Sequence, residues 1–351
     1  MAKRTTIQKK KYSESYIKIR KRRARQHRRE KILKGLALAA ALTLVVGGGL
    51  KISETMGKKT VAVSEEETAT LQEHLNAPQK NTPVYPSVSV DYEEITSETV
   101  HSPYIAVLDV EKNEVIAGRE HDTRIIPASM TKVMTLIVAV EHLQDLQQRY
   151  TMSADLITPL IKAQASRAGF DPGEEISVED LLYGLILPSG ADAAEALAEM
   201  TAGSTEEFAV LMNQKCEDLG LTNTHFVNPS GLYDDEQYTT PTEMAMIMEY
   251  AMKNETCAKV LSTYQHTTES TQQHPQGISL TSTMFSRMYG NEVPGVTIEA
   301  GKTGYVDESG NCLVSYAEKN GRHFVTVTAG ATNKWHVIYD DFDIYGNYLP
   351  E

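Results

Sequence analysis

Cysteine is scarce in this chain: three in 351 residues, Cys216, Cys257 and Cys312, an odd number with none in C-x-x-C spacing. That excludes a fully paired disulfide framework and leaves no second ligand set for a metal site. Buried free thiols are expected, with one pair plus one free thiol as the other arrangement. Also missing are a G-x-S-x-G turn and an H-E-x-x-H helix. Neither a histidine-based hydrolase elbow nor a zinc peptidase is therefore supported, and no metal or other cofactor is expected. His225 and His323 read as a turn and a strand residue rather than as ligands. No internal repeat is visible.

Charge of one sign is missing in a different way, because it is segregated. Of 34 Lys and Arg residues, 15 fall in residues 1–34 beside only Glu14 and Glu30, a balance of +13. The other 317 residues keep 19 basic against 45 acidic side chains, or −26. An uncharged apolar run, residues 35–50, succeeds the basic arm and is bracketed by Lys34 and Lys51. As a helix it spans about 24 Å, short of the roughly 30 Å hydrocarbon core, and lysine snorkelling with local thinning covers the difference. We read residues 1–34 as a cytoplasmic arm and residues 35–52 as a transmembrane signal-anchor, oriented by the positive-inside rule. A cleaved signal peptide is the competing reading, although no A-x-A site is evident. A nucleic-acid role for the arm is disfavoured, since a −26 body repels phosphate.

Residues 53–101 are rich in Glu, Thr and Ser with little apolar periodicity, and are expected to be a disordered linker with one short helix near residues 65–75. Residues 102–351 are expected to form one folded domain, with order beginning near Tyr104. Two β-branched runs, 104–110 and 114–119, suggest a hairpin. A continuous apolar helix should start at Ser129. Ser177-Val178-Glu179-Asp180 resembles a capping box, Gly220 a helix stop, and Thr240-Pro241-Thr242-Glu243 a helix start. The methionine-rich run 244–252 reads as core. Strands are expected over 296–302, 312–317 and 324–329, then a closing helix over 335–345. Strands at both ends with helices between them give an α+β class, one antiparallel sheet flanked by helical layers.

Three short motifs occur in order: Ser129-Met130-Thr131-Lys132, Ser189-Gly190-Ala191 and Lys302-Thr303-Gly304. With Ser129 at a helix start, Lys132 lies one turn along on the same face. A buried lysine beside a second cation, Lys302, loses its proton more easily and becomes a base for the serine hydroxyl. Ser189 is placed to relay a proton to a leaving amine. Lys302 and Thr303 offer charge and a hydroxyl to a substrate carboxylate. Gly304 gives a substrate backbone access to the strand edge, and the amides of Ser129 and Tyr305 are candidates for an oxyanion hole.

With its flanks Pro127-Ala128-Ser129, Leu187-Pro188-Ser189, residues 226–232 and Gly301-Lys302-Thr303-Gly304-Tyr305, this arrangement resembles the D-alanyl-D-alanine carboxypeptidases, the low-molecular-mass penicillin-binding proteins of bacterial cell walls. The resemblance runs from about residue 102 to 345. It implies the penicillin-recognising (β-lactamase/transpeptidase-like) fold, peptidoglycan stem peptides as substrates, β-lactams as covalent inhibitors and a part in cell-wall biogenesis and cell shape. It implies catalytic Ser129, Lys132 and Ser189, and substrate binding by Lys302, Thr303, Gly304 and Tyr305. The terminal D-Ala would leave through an acyl-enzyme on Ser129. The family's second motif usually ends in Asn, where this chain has Ala191. Relatives often carry a further β-domain and a C-terminal anchor, for which few residues remain after Lys334, so the N-terminal segment is the expected anchor. Two alternatives are a catalytically weakened peptidoglycan-binding homologue and a β-lactamase. No Glu-x-x-x-Asn segment between Tyr150 and Ser189 supports the latter, and Glu174, Glu175 and Glu179 read as loop and cap residues.

Overall fold

The structure, a computed structural model, describes residues 84–351. The basic arm, the 35–52 segment and the linker up to residue 83 lie outside the described residues, and no helix among those described is long and apolar enough to cross a membrane.

A six-stranded sheet organises the domain. Its strands are β1 (Ser87–Glu94), β2 (Tyr104–Asp109), β3 (Glu114–Arg119), β8 (Thr297–Val306), β9 (Gly310–Lys319) and β10 (Arg322–Ala331), in the spatial order β1-β3-β2-β10-β9-β8. The expected hairpin is β2–β3, and β2 pairs antiparallel with β10, Asp109 facing Phe324. Beginning and end of the domain therefore meet in mid-sheet. The sheet departs from the expected fully antiparallel one, because β1 runs parallel to β3.

β1 also corrects the linker, which ends before residue 87. The sequence SVSVDYEE concealed it because an edge strand with no buried side chain carries no amphipathic alternation. The turn between β1 and β2 is firmly held. Ile95 and Val100 are buried there, and the Arg119 guanidinium donates to the carbonyls of Ile95, Ser97, Val100 and Ser102.

Between β3 and β8 lies the helical body: α1 (Thr131–His142), α2 (Ala154–Lys162), α3 (Val178–Ile186), α4 (Ala191–Ala202), α5 (Thr205–Leu219), α6 (Pro241–Met252), α7 (Glu255–Leu261) and α8 (Phe285–Met288). Two small ladders, β4 (Arg149–Thr151) with β5 (Glu175–Ser177) and β6 (Gln265–Thr267) with β7 (Ser279–Thr281), brace it. α9 (His336–Asn347) closes the chain. Alternation along β9 separates the faces: Val314 and Tyr316 join the core of the helical body, whereas Ser315 and Ala317 meet α9. The caps act as expected. Ser177 and Thr240 accept from the Asp180 and Glu243 amides, and Gly220 ends α5 at φ +73°; Ser204, not singled out in the sequence, caps α5 by accepting from the Glu207 amide. All three cysteines are buried free thiols, and Met244, Met246 and Met248 are core.

Candidate active site

Ser129 lies not in the α-helix proper but in a 3-10 turn, Ala128–Met130, that feeds α1. Ala128 holds φ +46°, a left-handed conformation that costs a residue with a Cβ of order 1–3 kcal/mol. The turn is clamped from outside. A Cβ on Gly231 (φ +79°) would fall 2.0 Å from the Ala128 carbonyl oxygen, and one on Gly304 would fall 3.0 Å from the Ser129 nitrogen. Gly304 thus lacks a side chain because β8 passes against the serine turn, a reason distinct from the expected room for substrate.

Lys132 is fully buried at the start of α1, its Nζ 3.1 Å from Ser129 Oγ and also donating to the Ser230 carbonyl. Burial pushes its pKa down to about 8, against the pull of Glu195 and Asp192. A neutral amine beside the serine is therefore accessible near neutral pH, as proton abstraction requires. The carbonyl comes from a loop folded around Asn228, whose Oδ1 accepts from Ser230 and Gly231 amides while its Nδ2 donates to Leu232. Thr135 ties this loop to α1 by donating to the Pro229 carbonyl.

The opposite wall is β8. Lys302 pairs across the ladder with Val314 and Gly304 with Cys312, so both face the helical body. Lys302 Nζ is fully buried and donates to Ser189 Oγ at 2.9 Å and to the Thr303 carbonyl at 2.8 Å. Burial holds it well below the usual lysine value, and the charges of Lys132 and Arg287 press it lower. Ser189 holds φ +65°, and α4 begins just after it with no side-chain cap, so Ser189 serves the lysine rather than the helix. Thr303 Oγ1 bonds Thr283 Oγ1 at 2.6 Å. Tyr305 is exposed, its hydroxyl on Asp307.

The fold thus brings Ser129, Lys132, Ser189, Lys302 and Gly304 together, with Thr303 at the next position and Tyr305 on the rim. Asp192, next to Ala191, points away: its carboxylate accepts from Ala168, Gly169 and Ala193 amides and pins the loop before α3. Arg287 on α8 and the Ser230 carbonyl are not visible in the sequence as site groups. Neither stands in a motif that marks its contact with the lysines, although Ser230 sits inside the recognised 226–232 flank. A groove of about 810 Å³ bordered by Tyr264, Tyr289 and Phe342 has none of the three motifs in its lining.

A mixed sheet between helical layers, with a buried lysine beside a strained serine turn, defines a penicillin-recognising fold. The sequence profile of the Peptidase S11 family, D-alanyl-D-alanine carboxypeptidase, matches residues 91–333, and the chain belongs to that family. It is 34% identical over 240 residues to D-alanyl-D-alanine carboxypeptidase DacF of Bacillus subtilis, covering 68% of this chain and 59% of that one. It is 31% identical over 219 residues to the Streptomyces sp. K15 D-alanyl-D-alanine carboxypeptidase, covering 60% and 75%. The crystal structure of the Streptomyces K15 DD-transpeptidase superposes with a TM-score of 0.66 at 28% identity, over 73% of this chain and all of that one. A D-alanyl-D-alanine carboxypeptidase structure from Mycobacterium tuberculosis gives 0.62 at 27%, over 76% and 97%.

Proposed function

We propose that this protein is a serine-type D-alanyl-D-alanine carboxypeptidase that removes the terminal D-Ala from peptidoglycan stem pentapeptides. The observation that carries this reading is the contact of Lys132 Nζ with Ser129 Oγ, with the lysine's proton loosened by burial. Ser129 Oγ attacks the carbonyl of the penultimate D-Ala while its proton passes to Lys132. The amides of Ser129 and Tyr305 receive the oxyanion. The leaving amine takes a proton through Ser189, whose hydroxyl is oriented by Lys302. Water then releases the shortened peptide from the ester.

Thr303 and the charges of Lys302 and Arg287 receive the substrate's terminal carboxylate. An anion there favours the protonated form of Lys302, so binding takes up a proton. The same geometry makes Ser129 a target for covalent acylation by β-lactams. A β-lactamase reading is opposed by Glu174, the buried glutamate of the 150–189 region. It is tied to the Asp171 amide, the Thr271 hydroxyl and His274.

Membrane attachment completes the reading. Residues 35–52 are a single-pass anchor with the basic arm in the cytoplasm and the catalytic domain outside a bacterial cell membrane, supported by the charge pattern of the sequence. Protease added to intact cells should cut the catalytic domain and spare the arm; protection of the domain refutes this topology.

Incubation with a fluorescent penicillin, with intact mass as the readout, tests the chemistry. A stable adduct on Ser129, absent in Ser129→Ala, with D-Ala released from a pentapeptide is the expected result. An adduct that hydrolyses within seconds indicates a β-lactamase. No adduct and no release, with stem peptide still bound, indicates a binding homologue.

A further inference from the structure

Two carboxylates on α4 act on Lys132, and they are not equivalent. Asp192 is fully buried, and its oxygens are taken by three backbone N–H groups. Glu195 is held differently. Thr205 Oγ1, at the start of α5, donates to its Oε2 at 2.7 Å, and its carboxyl faces the Ser230 hydroxyl, whose own proton goes to Asn228 Oδ1. Ser230 is the residue whose carbonyl accepts from Lys132. The Thr205-bound Glu195 of α4 thus faces the Asn228 loop at the residue that also holds Lys132 of α1.

The spacing on α4 explains how a glutamate comes to serve here. Ala191 and Glu195 are four residues apart and share a helix face. Helical side chains lean toward the N-terminus, so the long Glu195 side chain extends back over the turn that Ala191 occupies with a methyl group.

Resting on the reading of Lys132 as the base for Ser129, we propose that Glu195 is a positioning residue for acyl transfer, the carboxylate against which the Lys132 ammonium is stabilised once it has taken the serine proton. In that step the Ser129 O–H bond breaks, an N–H bond forms on Lys132, and the ammonium later gives the proton to the departing amine. Glu195 exchanges no atom with substrate. It governs the acidity of the base.

The charges that face this pair are few. A charged Lys132 opposes a proton on Lys302 of β8, and Asp192 favours one on Lys132. Glu199, one turn further along α4 and bonded by the Tyr150 hydroxyl, disfavours charge on Glu195, whereas Lys132 favours it. Burial is the largest influence on both members and disfavours their charged forms. Removing the Glu195 charge removes a force that holds the proton on Lys132, so the amine becomes neutral at lower pH.

The test is the rate of Ser129 acylation by a penicillin, read by intact mass from pH 5 to 10 on the full chain in detergent. The parental rate should climb about tenfold per pH unit up to a midpoint near 8 and then level, as for a single deprotonation. In Glu195→Gln the midpoint should move down by about half a pH unit or more, with a lower plateau because the base is weaker. Thr205→Val, which strips a donor from the carboxylate, should move it the same way by less, and Thr205→Ser should restore it. A midpoint in Glu195→Gln equal to the parent's, whatever the absolute rate, overturns the proposal. Should that variant not fold, an unshifted Thr205→Val overturns it. A parent that is never acylated refutes the underlying function instead, and this inference with it.

Discussion

Gly231 shows how much of the site is decided at single residues. Its φ of +79° and its contact with the Ala128 carbonyl leave no place for a methyl group, since the obstacle is backbone and cannot swing aside. Gly231→Ala should therefore destabilise the domain by roughly 2 kcal/mol or more, and slow acylation of Ser129 beyond what that loss explains. Melting curves beside acylation rates check this; an unchanged rate would mean that the loop does not hold the serine turn. The three motifs are visible in the sequence because each is local. Arg287 and Thr205 are not, because only the packing of α8 and α5 sets them against Lys302 and Glu195.

At the level of elements, the legible helices are those with strong punctuation. α5 runs from a Ser204 cap to a Gly220 stop, and α6 from Thr240 with Pro241 in its first turn. α2 escapes a sequence reading: it is short and has Pro159 inside. The three-residue strands β4 to β7 are too brief for alternation to register. The start of α4 carries a second kind of information, because Asp192 there organises a neighbouring loop. Asp192→Ala leaves the Ala168, Gly169 and Ala193 amides short of an acceptor, at a cost of about 1–3 kcal/mol for each that stays buried. Urea unfolding should show a loss of that order. Asp192→Asn, which keeps an acceptor oxygen, should lose less, and equal losses would contradict this account.

For the whole molecule, the sheet assembled from both ends is readable from the order of strands and helices, but its outer edge is not. Ile95 and Val100 are buried, and burial of such side chains contributes about 1.5–3 kcal/mol each. A fragment beginning at residue 102 should therefore melt lower than one beginning at residue 84 by an amount corresponding to several kcal/mol. Equal melting temperatures would show that β1 and the turn after it add nothing. The pairing of β2 with β10 has a further consequence, for the order of events during synthesis. The mid-sheet ladder joins Tyr104 to Ala329, so β2 waits with an unsatisfied edge until nearly the whole domain has been translated. Pairings that distant form slowly, and a waiting edge is open to the wrong partner. The nascent chain is thus most vulnerable to mispairing in the interval before its last hairpin appears, and the reactive serine, which lies upstream, acquires its second wall only when that interval ends.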